Sequence, residues 1–331
     1  MRTTGAPAVE VVGLQKRYGE KRAVDGLDLR VEHGEIVAVL GPNGAGKTTT
    51  VETLEGFRRA DGGHVRVLGE DPAQAGRRWR SRIGVVLQDN RDLAEATVRE
   101  TVHHFSGMYP APRDPEAVID AVGLREKANA RVRGLSGGQR RRLDVALGVV
   151  GDPELLFLDE PTTGFDPRAR HEFWDLVEAL RDEGTTILLT THYLEEAERL
   201  ADRVVVVARG RVVAEGRPAD LGGRQARRAR VRWTEAGTTH EEATDTPTAL
   251  VAGLAARLAG PSGEVPGLEV LRPTLEDVYL GLVGEAAATP TAARAGDGTA
   301  HDTTDSTAHG TPAGAGTRPT VPVREDEEAA R

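Results

Sequence analysis

The sequence predicts an α/β fold with a mostly parallel sheet and a helical insert, and three observations carry that reading. Five short runs, "EIVAVL" (35–40), "IGVVLQ" (83–88), "ELLFLD" (154–159), "TILLTTH" (186–192) and "RVVVVA" (203–208), are apolar at successive positions and stand in front of glycine or polar turns. A strand that is apolar on both sides is covered on both faces, which is the situation of a parallel strand between layers. The first run leads into "GPNGAGKT" and then a helical stretch, the strand–loop–helix order of an α/β unit. Between about 90 and 150 the strand signal vanishes, and helical spacing takes over in "TVRETVHHFSGMY" and at Leu143, Ala146, Leu147 and Val150.

Composition bounds the function classes. A chain of 331 residues with 38% hydrophobic content can fill a substantial core. Its formal charge of −9 argues against general affinity for nucleic acid, whose phosphates are held by basic patches. The longest apolar runs span five residues, 36–40 and 204–208, whereas a membrane-spanning helix needs about twenty. With no cysteine, and no apolar segment of signal-peptide type in "MRTTGAPAVE", the expected compartment is the cytoplasm.

The phosphate-loop pattern is complete from Gly41 to Thr48. Gly41, Pro42, Asn43, Gly44, Ala45 and Gly46 would let backbone N–H groups converge on phosphates, with the positive end of the helix dipole behind them. Lys47 would add a point charge, Thr48 a hydroxyl for magnesium, and Thr49 continues the binding segment into the helix. Gln88 closes the next apolar run. "LSGGQ" (135–139) follows in the insert, with Ser136 at a helix N-cap position ahead of Gly137, Gly138 and Gln139. Asp159 and Glu160 then stand at the carboxyl end of a buried strand, where α/β sheets collect ligands. Two adjacent acids there point to two tasks, Asp159 holding Mg2+ through water and Glu160 orienting and polarising the attacking water. His192 ends a fourth strand. His103 and His104, and the arginines between 224 and 232, read as solvated charge. Arg140 to Arg142 read as surface charge on the helix after LSGGQ, some of it in reach of nucleotide.

After Gly216 the character changes. "QARRARVRW" (225–233) reads as a strand, "TALVAGLAARLAG" (248–260) as an amphipathic helix, and "PTLEDVYLGL" (273–282) as a helix capped by Thr274 and Asp277. The expected domains are 1–216, a small α+β accessory domain over 217–283, and a disordered tail over 284–331, where Val321 and Val323 are the only large apolar residues.

Phosphate loop, Gln88, LSGGQ, Asp159–Glu160 and His192 occur in an order and with spacings that resemble the phosphate-loop ATPase domain of ABC transporters, over about Val9 to Gly216. The resemblance implies ATP with Mg2+ as cofactors, Tyr18 stacked on adenine, Gln88 in contact with magnesium and water, and His192 on the γ-phosphate. It also implies a head-to-tail homodimer, or a heterodimer with a second such ATPase. LSGGQ would complete the partner's nucleotide site, and Asp166 would lie in the loop that crosses to the partner. "TTGFDP" departs from the family pattern by placing Phe165 where leucine is usual. The ending "RPTLEDVYLGLVG" resembles that of ABC-2 type exporter ATPases, including those for antibiotics. The expected function is therefore hydrolysis of ATP that powers export through a separate integral membrane permease, with the chain peripheral on the cytoplasmic face of the membrane. A soluble member acting on ribosomes or DNA is the alternative. Ribosomal members usually carry two cassettes, and chromosome-organising members a long heptad segment; here there is one phosphate loop, one LSGGQ and no such segment.

Overall fold

A computed structural model describes residues 5–86, 95–226, 228–260 and 263–288. The chain runs β1 (Val9–Tyr18), β2 (Lys21–Val31), β3 (Ile36–Leu40), α1 (Lys47–Leu54), β4 (Gly62–Val67), α2 (Arg77–Arg80), β5 (Ile83–Val86), α3 (Val98–Ser106), α4 (Pro115–Ala121), α5 (Gly137–Val149) and β6 (Leu155–Asp159). It continues through α6 (Pro167–Asp182), β7 (Thr186–Thr190), α7 (Leu194–Leu200), β8 (Arg203–Ala208), β9 (Arg211–Gly216), α8 (Gly223–Ala226), β10 (Ala229–Glu235), β11 (Thr238–Thr244), α9 (Pro247–Leu258), β12 (Glu269–Leu271) and α10 (Leu275–Ala288).

The five apolar runs and β9 form one six-stranded sheet in the order β5-β6-β7-β3-β8-β9, parallel except for the edge strand β9. Successive residues face opposite cores, which is why the runs do not alternate. Ile36, Ala38 and Leu40 join the core under the helices with Leu156, Leu158, Ile187 and Leu189. Val37 and Val39 join the other with Leu155, Phe157 and Leu188, covered there by α1 and an antiparallel sheet β2-β1-β4. That second sheet went unread in the sequence, because β1 and β2 mix valine and leucine with charged residues on a half-exposed face.

Between β5 and β6, α3 and α5 begin with capping boxes. Thr97 and Glu100 exchange hydrogen bonds at the first, Ser136 and Gln139 at the second. Helix α5 crosses β5 so closely that a Cβ on Gly84 would lie 2.1 Å from the Gly148 carbonyl oxygen. Backbone cannot yield cheaply, so Gly84→Ala is expected to cost about 1–3 kcal/mol and to lower the unfolding midpoint by several degrees, read by calorimetry.

The accessory segment forms a three-stranded sheet, β11-β10-β12, on which α9 packs around Val231, Trp233, Leu254 and Val265. Its first strand begins at Ala229 and not at 225, because Gly223–Ala226 make a helical turn. Thr274 and Asp277 form the expected cap, each side chain bonded to the other's backbone N–H. Helix α10 then leaves this small sheet and packs on α7, β8 and β9, so that Leu275 and Val278 belong to the main core. It extends to Ala288, past the composition break at 284, since Glu285 to Ala288 are strong helix formers. The remainder of the expected tail lies outside the described residues.

Candidate active site

The carboxyl ends of β3, β6 and β7 are neighbours in the sheet, and each delivers polar groups to the same rim. The loop after β3 enters α1 through Gly46, whose φ of 106° is open to glycine and strained for other residues. A Cβ there would also lie 2.5 Å from the Ala23 carbonyl oxygen. Pro42, Asn43, Gly44 and Thr48 are exposed and Thr49 is half-buried, whereas Gly41, Ala45, Gly46 and Lys47 are buried. Lys47 donates from Nζ to the carbonyl oxygens of Gly41 at 2.7 Å and Pro42 at 3.4 Å. Burial holds its pKa below the usual lysine value, although Glu160 and Asp159 pull the other way, so these two carboxylates already act on the ammonium group.

Asp159 accepts a hydrogen bond from the Thr190 hydroxyl at the end of the adjacent strand. Glu160 adopts a φ of 45°, a left-handed conformation that a glutamate seldom takes. Its N–H holds it there, donating to the Thr190 carbonyl oxygen at 3.0 Å and to Thr190 Oγ1 at 3.2 Å. The side chain faces His192, with 3.4 Å between Nδ1 and Glu160 Oε2. His192 is exposed and packs on Tyr193 with ring centroids 4.1 Å apart. Lys47, Asp159, Glu160 and His192 are thus brought to one rim, as the sequence led one to expect. Gln88 lies outside the described residues.

Six candidates, Tyr18, residues 136–139 and Asp166, stand apart from that rim or serve the local fold. Tyr18, at the end of β1, is 42% exposed, with Lys16 and Arg58 over its ring at 5.8 and 5.5 Å. Ser136 caps α5, accepting from the Gln139 N–H at 3.3 Å, while Gln139 Oε1 accepts from the Ser136 N–H at 3.1 Å. Ser136 and Gly137 are exposed and Gly138 and Gln139 half-exposed. No hydrogen bond or ion pair joins 136–139 to 41–49 among the described residues. Asp166 caps α6, accepting from the Ala169 N–H at 2.9 Å. Phe165 is buried edge-to-face against Phe173, which explains why a large ring is accepted where leucine is usual.

One expectation is corrected. Arg141 is not surface charge: it is 8% exposed and donates to the carbonyl oxygens of Pro161 at 3.0 Å and Asp159 at 2.7 Å, tying α5 to the strand end that carries the carboxylates. Arg142 is also engaged, paired with Glu172. Neither this role nor that of Thr190 showed in the sequence, because their partners are 18 to 31 residues away. His103 does read correctly as an exposed group, 3.2 Å from Glu116.

Glu55, directly after α1, is 8% exposed, and its carboxyl group is pushed up to about 7 by burial and then by the negative charges of Asp159 and Glu52. A folded-state pKa raised from 4.5 to about 7 gives stability that is full below pH 4.5 and lost as pH rises through about 7. The full effect is up to about 3 kcal/mol. Glu55→Gln should therefore gain on the wild type in unfolding midpoint as pH rises across that window. Midpoints that run parallel between pH 4.5 and 8 would oppose this.

A phosphate loop on one strand end and two carboxylates on a nearby one define a nucleoside triphosphatase of the phosphate-loop class. Residues 24–163 match the sequence family described as ABC transporter. The chain is 41% identical over 307 residues to the daunorubicin resistance ATP-binding protein DrrA3 of Streptomyces coeruleorubidus, covering 84% of this chain and 96% of that one. It is 46% identical over 221 residues to the Nod factor export ATP-binding protein I of Ralstonia nicotianae, covering 65% and 68%. Among solved structures it is similar to cbiO1 of Clostridium perfringens, part of an ABC transporter complex, with 28% identity, a TM-score of 0.59 and coverage of 64% and 89%. This chain belongs to the ABC transporter family, as one of its ATP-binding, ATP-hydrolysing proteins.

Proposed function

We propose that this chain hydrolyses ATP with Mg2+ and that its cycle drives export of a drug, an antibiotic or another hydrophobic compound through a separate membrane permease. The observation that carries the catalytic part is the convergence of Lys47, Asp159, Glu160 and His192 at one rim. Among the described residues no cluster of three or more His, Asp or Glu side chains could cage a metal ion. That fits Mg2+, which is held by one or two protein oxygens together with phosphate oxygens and water. Asp159, the Thr48 hydroxyl and Gln88 would be the oxygen donors, and the ion would offset phosphate charge. On nucleotide binding Lys47 would exchange the Gly41 carbonyl for phosphate oxygens. Tyr18, at the exposed end of β1, would stack on adenine. Glu160 would accept a proton-side hydrogen bond from the attacking water, and His192 would bond the γ-phosphate beside it.

Exposed on a capped helix start and unconnected to its own phosphate loop, the Ser136–Gln139 segment is suited to reach a second copy. In a head-to-tail dimer it would close the partner's site, with Asp166 at the crossing; a heterodimer would use the same contacts. The export direction rests on the likeness to the Nod factor export protein, and the drug class on the likeness to the daunorubicin resistance protein. No helix among the described residues is long and apolar enough to cross a membrane. The permease would be a separate chain that holds this one at the cytoplasmic face. A cleft of about 470 Å3 between the sheet core and the insert, lined by Trp79, Phe105, Tyr109 and Leu147, offers that chain a docking place. The test is co-purification with an integral membrane permease, sought first among the genes beside this one, and phosphate release that stops on chelation of Mg2+. Release that persists in excess chelator, or no association with any integral membrane permease, would overturn the reading.

A further inference from the structure

Four buried side-chain polar atoms among the described residues have no hydrogen-bond partner, and three of them, Thr162 Oγ1, Arg170 Nε and Glu196 Oε2, belong to one junction. Thr162 lies two residues after Glu160, and Glu196 sits on α7 four residues after His192. Both are wholly buried. Glu196 Oε1 accepts from Trp174 Nε1 of α6 at 3.2 Å. Thr191 and Thr162 face the same carboxyl group from the ends of the two loops, and Arg170 acts on it from α6. Burial raises the Glu196 pKa, and the two threonine hydroxyls, Trp174 and Arg170 draw it back only in part.

Buried polar atoms are paired in nearly all folded proteins, and Thr162 Oγ1 and Glu196 Oε2 lack a well-formed hydrogen bond although the hydroxyl is near enough to draw the carboxyl pKa down, so the two stand where a small shift of the loops would complete their contact. Here the halves stand on the loops that carry Glu160 and His192. We infer that Glu196 is a positioning residue for ATP hydrolysis. Its carboxyl group ties Thr162 of the Glu160 loop to Thr191 of the His192 loop, and the Thr162–Glu196 hydrogen bond completes when nucleotide draws the loops together. This rests on the ATPase reading given above.

The experiment compares full-length wild type, Glu196→Gln, Glu196→Leu, Thr162→Val, the Leu/Val double variant and Glu160→Gln in ATP turnover and thermal unfolding. Misplaced catalytic groups lose at least about tenfold in rate, so Glu196→Leu and Thr162→Val should lose at least that in kcat, with KM for ATP changed less than about threefold. The unfolding midpoint of Thr162→Val should hold or rise, because an apolar side chain of similar size replaces an unbonded hydroxyl, whereas Glu196→Leu takes the acceptor from the buried Trp174 Nε1 and should lower it. Glu196→Gln keeps an acceptor for Trp174 and a partner for threonine, and should stay within about threefold of wild type. The double variant should be no slower than the slower single one, since both remove the same contact. Wild-type kcat in Thr162→Val, a Gln variant as slow as Leu, losses that multiply in the double variant, or rates that fall only with the midpoint would each overturn the inference. Should Glu196→Leu not fold, Thr162→Val and Glu196→Gln still decide it. Wild type without turnover would remove the ATPase reading and this inference together. Turnover in wild type, none in Glu160→Gln and full rate in Thr162→Val would remove this inference alone.

Discussion

Glu160→Gln should bind ATP as the wild type does and turn it over about 10²–10⁴-fold more slowly, the usual loss when one well-placed catalytic group is removed. The exchange preserves shape and both backbone bonds to Thr190, which hold residue 160 at its positive φ and do not depend on the side chain. What is lost is the negative charge that faces His192 at 3.4 Å and would polarise the attacking water. A loss confined to kcat, with unchanged nucleotide affinity and unfolding midpoint, identifies an interaction made in the transition state. Phosphate release above half the wild-type rate would exclude Glu160 from that role.

A mixture of Lys47→Ala and Ser136→Arg chains should recover ATPase activity that neither variant has alone. Lys47 neutralises phosphate charge at close range, and an arginine at the exposed N-cap of α5 would crowd the γ-phosphate of a facing subunit, so each homodimer should be nearly inactive. In a head-to-tail mixed dimer, one composite site carries both defects, while the other combines an intact phosphate loop with an intact Ser136. If instead residues 136–139 served their own chain, no site in the mixture would be whole. Random pairing at equal amounts makes about half of the dimers mixed, so recovery should be partial. Phosphate release measured across mixing ratios with verified mixed dimers decides the matter. A mixture no more active than its components would rule out independent composite sites.

The sequence by itself determined the features that are local in the chain. The phosphate loop is one contiguous turn whose glycines and following helix start supply backbone N–H groups without help from elsewhere. The Ser136 and Thr274 caps are set within four residues, and Asp159–Glu160 at the end of an apolar run is a matter of strand length. The parallel sheet was legible for the same reason, since a strand covered on both faces writes an unbroken apolar run.

What only the tertiary structure decided depends on partners far apart in the chain. The antiparallel sheet β2-β1-β4 exists because its half-polar strands find each other and the underside of the main sheet, which no short run announces. Three adjacent arginines after LSGGQ look alike in sequence, yet Arg141 turns inward to the carbonyl oxygens of Asp159 and Pro161. Helix α10 was assigned by position to the accessory segment, whereas Leu275 and Val278 bury against the main core. The positive φ of Glu160 is imposed by Thr190, 30 residues later, and the paired burial of Thr162 and Glu196 arises where two strand ends meet. Sequence spacing specifies which groups a turn of chain presents; burial, and the hydrogen bonds that burial makes obligatory, specify which distant groups must then hold them.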